Sequence, residues 1–110
     1  MKISILINPQ NKRSSAIDQA YEFILASIDK EIEINQVFFY GYAVDFVFSQ
    51  GAAVKSWQLL ANTGIRLFAC SSIADDLSLQ NKRLNDGFNL AGLGQWTESI
   101  FATERHIEFA

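Results

Sequence analysis

The stretch "IRLFACSSIADD", Ile65 to Asp76, decides how this chain folds. Its first half is a short apolar run with strand chemistry. From Ser72 the pattern changes, and the three-residue spacing of Ser72 and Asp75 marks a capping-box-like helix start. The chain's sole cysteine, Cys70, is the last residue of the run, at a strand-to-helix junction. A free cysteine is commonly buried and inert. In open α/β sheets, however, chemistry gathers at the carboxyl ends of strands, and Cys70 is expected at such an end.

The flanking sequence repeats the same alternation. "KISILI" near the N-terminus is a nearly continuous β-branched run, the pattern of a strand buried on both faces of a parallel sheet. The turn formers of "NPQNKRSS" then give a loop. After it Ala16, Ile17, Ala20, Ile24, Leu25 and Ile28 recur at helical spacing, with Ser15 and Asp18 as a capping-box-like start. "EINQVFFY" predicts the second strand. Val54, Trp57, Leu60 and Ala61 mark a second helix, which Gly64 ends as a left-handed cap. "GFNLAG" reads as a fourth strand, "LGQWTESIFAT" as a helix and "RHIEF" as a closing strand. Parallel strands need crossover helices, so the expected fold is a three-layer α/β/α sandwich around a mainly parallel sheet of about five strands. Residues 1–110 are expected to form one domain, with no repeat or linker to divide them.

Composition narrows the function. Hydrophobic residues make up 49% and charged residues 19%, a globular balance rather than a disordered one. A net charge of −3 gives no basic footprint for nucleic acid or an anionic membrane surface. The apolar stretch Ile3 to Ile7 is too short for a signal-peptide core or a membrane span, so the chain reads as cytoplasmic, where a thiol stays reduced. One cysteine cannot form an internal disulfide, and with one histidine, His106, it cannot build a structural zinc site.

Cys70 is the leading chemical candidate. Backbone N–H groups at a helix start favour a thiolate, whereas Asp75 and Asp76, expected in the same first turn, oppose it; Lys12 and Arg13 are the nearest basic residues if their loop shares that sheet edge. The loop "NPQNKRSS" joins a strand to a helix but lacks the glycines of a nucleotide-binding fingerprint. His106, Glu98 and Glu104 form no recognisable catalytic constellation. "VFFYGYAVDFVF", residues 37–48, carries six aromatics; Tyr40, Tyr42, Phe46 and Phe48 extend beyond the strand and are expected at an oligomer interface rather than in the core.

Taken in order, the apolar first strand, "VFFY", "AVKSWQLLANTGI", the strand-ending cysteine, "LNDGFNLAGLGQWTES" and "ERHIEF" resemble the DsrE-like sulfur-relay family, and within it the TusD/DsrE subunit type. Two features differ: the segment from Tyr42 to Lys55 is short for that family, and "SSIADD" is acidic. The resemblance implies a flavodoxin-like topology and a sulfur carrier that holds a persulfide on Cys70. It also implies a TusA-like donor, a TusE- or DsrC-like acceptor, and a homo- or hetero-oligomer, trimer or hexamer, serving tRNA 2-thiouridine synthesis or sulfur oxidation. Such chemistry requires no metal or organic cofactor. The alternative is a non-catalytic subunit of a similar oligomer in which Cys70 is inert. A small-molecule-binding flavodoxin-like domain is a third reading, disfavoured by the glycine-poor first loop.

Overall fold

A computed structural model describes residues 1–79 and 81–110. The chain alternates strand and helix: β1 (Lys2–Ile7), α1 (Ala16–Ile28), β2 (Glu33–Phe39), α2 (Ala52–Ala61), β3 (Arg66–Cys70), α3 (Ser71–Asp76), β4 (Phe88–Ala91), α4 (Leu93–Ala102) and β5 (Arg105–Phe109). The strands form one sheet in the order β4-β3-β2-β1-β5, and every pairing is parallel. No helix among the described residues is long and apolar enough to cross a membrane.

Strand alternation sends residues to two unlike faces. Ile3, Ile5 and Ile7 of β1, Val37 and Phe39 of β2, and Leu67 and Ala69 of β3 are all buried. This face is covered by α1 through Ala16, Ala20 and Ile24, and by α2 through Val54, Trp57 and Leu60. Phe39 is its centre, with ring centroids 5.1 Å from Trp57, 5.6 Å from Phe88 and 6.1 Å from Phe46. The opposite face carries Ser4, Gln36 and Phe38 and is met by α4, whose one buried residue is Ser99. Here contact is mostly polar: Ser4 Oγ bonds the Ser99 hydroxyl, Asn35 Nδ2 donates to Ser99 Oγ at 2.9 Å, and Gln95 Nε2 donates to Gln36 Oε1 at 3.1 Å. Phe38 and Trp96 add one tilted aromatic pair.

Three local expectations need correction. Ser15 does not close a capping box: its hydroxyl accepts from the Gln19 side chain, while Ser14 Oγ accepts from the Ala16 N–H at 3.0 Å. The third helix begins at Ser71 rather than Ser72, so Cys70 itself occupies the N-cap position, and Asp75 and Asp76 close the helix instead of opening it. The aromatic stretch after β2 mostly turns inward. It forms two short 3-10 turns, Gly41–Ala43 and Asp45–Phe48, which fold Ala43, Val44, Val47 and Phe48 into the core and stack Phe46 on Phe39. Tyr40 is partly buried against the same core, and only Tyr42 of the group stands out. The fold holds this segment by its backbone: Asn85 Nδ2 donates to the carbonyls of Val47 and Ser49 at 2.8 and 2.6 Å.

Candidate functional site

Cys70 ends β3 and caps α3, paired in register with Ala91 of β4. Arg66, Phe68 and Cys70 alternate with Leu67 and Ala69, which places the cysteine on the α4 side of the sheet. It lies at a carboxyl end, as the sequence predicts, but it is 1% exposed and belongs to the hydrophobic core cluster. The thiol is thereby closed off from solvent. The helix that follows it is short: α3 has six residues, of which Ala74 is buried, and beyond it Ser78 adopts a left-handed φ of 56°.

A pocket of about 550 Å³ opens at the same edge. Its walls come from the residues after β1 (Asn8, Pro9 and Gln10), after β2 (Gly41 and Tyr42), from α3 and its end (Ile73, Asp76 and Leu77), and from the end of β5 (Glu108 and Ala110). Because β1 lies between β2 and β5, the chain leaves it on one side and returns on the other, and this crevice is the topological switch point of the sheet. Glycine suits position 41: its φ is +58°, in the left-handed region that favours glycine, and a Cβ there would stand 2.8 Å from Asn8 Oδ1 and displace that side chain.

Of the residues singled out from sequence, Cys70 and the pocket share α3, but Cys70 is not part of the pocket wall. Lys12 and Arg13 are exposed and do not line it either. His106 sits on β5 with its ring edge-on to Trp96, away from the pocket wall. Among the described residues no three His, Cys, Asp or Glu side chains come together as a metal site. Sequence reading missed Gly41, Tyr42 and Glu108 as neighbours of Asp76. The available signal was topological, since all four follow or end strands at one edge of a parallel sheet.

Comparison with known proteins agrees with this architecture. A sulfurtransferase TusD homolog from Vibrio vulnificus is 27% identical over 132 residues, covering 99% of this chain and 98% of its own. The sulfurtransferase TusD of an Enterobacter species is 26% identical over 128 residues, covering 99% and 100%. Both alignments exceed the 110 residues here, so these relatives carry insertions that this chain lacks. Among solved structures, the ychN protein from E. coli superposes with a TM-score of 0.84 at 16% identity, covering 99% of both chains. A protein of unknown function from Methanobacterium thermoautotrophicum gives 0.81 at 15% identity, covering 97% of each; at these identities the likeness is one of fold. The DsrE/DsrF-like family model matches residues 1–109, and the chain belongs to that family.

Proposed function

We propose that this chain is a persulfide-carrying subunit of a sulfur relay, with Cys70 as the carrier. The observation that carries the reading is the place of the sole cysteine, at the end of β3 and the cap of α3, in a DsrE/DsrF-like chain whose relatives include TusD sulfurtransferases. The Cys70 thiolate attacks the outer sulfur of a donor persulfide; the donor's S–S bond breaks and its thiolate leaves with the electron pair. Cys70 then holds the sulfane sulfur as Cys–S–SH. An acceptor thiolate attacks that outer sulfur and releases the Cys70 thiolate, with no net oxidation. A TusA-like protein is the donor and a TusE- or DsrC-like protein the acceptor, in tRNA 2-thiouridine synthesis or in sulfur oxidation. The chain works in the cytoplasm as a single domain, in a homo- or hetero-oligomer.

The burial of Cys70 sets a condition on this mechanism: the packing over the thiol has to open for sulfur to pass. The same burial favours a second reading, a non-catalytic subunit with an inert thiol. Incubation with a cysteine desulfurase and a persulfide donor, followed by intact-mass measurement, separates the two. A carrier gains about 32 Da, the mass of one sulfur, and loses that gain in both Cys70→Ser and Cys70→Ala. A folded wild-type protein that gains nothing while the donor is charged leaves the non-catalytic reading.

A further inference from the structure

The pocket at the switch point has a chemical character of its own. Pro9, Ile73, Leu77 and Tyr42 supply apolar wall, and Asp76 and Glu108 supply two carboxylates from different elements. Its volume lies within the roughly 300–1,000 Å³ typical of small-ligand sites. Among the described residues the one ion pair is Arg83 with Asp86, so no basic side chain neutralises either pocket carboxylate. Asp75 and Asp76 also stand in the last turn of α3, where negative charge opposes the helix dipole and contributes nothing to local stability. An apolar wall with two unpaired carboxylates disfavours an anionic nucleotide and suits an aliphatic chain ending in a cation.

We propose that this pocket binds an aliphatic guanidinium or ammonium group, its chain along Pro9, Ile73 and Leu77 and its charge beside Asp76 and Glu108. The assignment does not rest on sulfur transfer, since it concerns residues other than Cys70. The same chemistry is available from a free small amine or from an arginine or lysine of a partner protein.

Titration of the whole chain with n-butylguanidine, followed by backbone amide NMR, tests it against n-butylurea, the neutral isostere. Saturable shifts at Gln10, Gly41, Tyr42 and Leu77 with the cation, at least fivefold weaker with the urea, are expected. Exposed ion pairs contribute modestly, so Asp76→Asn and Glu108→Gln are each expected to weaken binding about two- to fivefold, and the double variant about tenfold. A tripeptide with a central arginine, beside its citrulline counterpart, distinguishes the sources. Binding by the arginine peptide points to a partner's side chain; butylguanidine binding without peptide binding points to a free amine. Equal binding of butylguanidine and butylurea, shifts confined to other regions, or a double variant that binds as wild type does would overturn the proposal. The persulfide assay on Cys70 is read separately, so either conclusion can fail alone.

Discussion

On one face of the sheet Trp57 meets Phe39 and Tyr21 edge to face, and two helices seal a layer of isoleucine, valine and alanine. On the other, a single helix sits mostly on hydroxyls and amides, leaving Leu93 of α4 about half exposed and Phe101 largely in solvent. The first face resists change by volume, because a close-packed interior relaxes little around a lost side chain. The second is held by direction: its bonds fix where α4 lies but add little net free energy, since each replaces a bond to water. Stability and adaptability are thus divided between the two sides, and Cys70 ends a strand on the side that is more weakly covered.

The largest test of that contrast is Trp57→Ala. Trp57 is 1% exposed and touches rings from α1 and β2, so its removal opens a cavity under both helices. A loss of about 3–5 kcal/mol is expected in urea unfolding. A loss below about 1.5 kcal/mol would mean that the apolar face is not the main source of stability.

Ser99→Ala probes the polar face with a smaller expected effect. It removes the hydroxyl shared by Ser4 and Asn35, while Ser4 Oγ keeps the Ser99 carbonyl and Thr103 Oγ1 within reach. About 1–2 kcal/mol should be lost. Hydrogen exchange should show α4 opening ahead of α1 and α2, because the bonds that orient it are the ones weakened. Uniform loss of protection in all three helices would show that the two faces respond as one unit.

The same division explains what the sequence reveals. "KISILI" and "IRLFAC" are legible as strands because Ile3, Ile5 and Ile7, and Leu67 and Ala69, alternate onto the sealed face of the sheet, and the helical stripe Val54, Trp57 and Leu60 is legible because one face of α2 is sealed. Residues 41–48 have neither a strand nor a helix period; a 3-10 turn follows its own three-residue geometry, and the inward path of Phe46 and Phe48 depends on Asn85, far along the chain. The strand-end position of Cys70 could be read locally. Its burial could not, because the core around it draws on distant elements. The pocket is less legible still, as Asn8, Gly41, Asp76 and Glu108 meet only through strand order.

The smallest effect is expected at Phe101, which is 85% exposed on α4. Phe101→Ser removes a ring that this chain leaves in water, so the change in unfolding free energy should stay within about 0.5 kcal/mol. The measurement is most informative as a dilution series, because burial against another polypeptide makes Tm depend on protein concentration. If wild-type Tm rises with concentration and Phe101→Ser abolishes that rise, the weakly covered face is completed by a neighbouring chain, and the asymmetry belongs to the isolated subunit rather than to the assembly. If Tm is independent of concentration in both proteins, α4 faces solvent, and an oligomer would have to form through other residues.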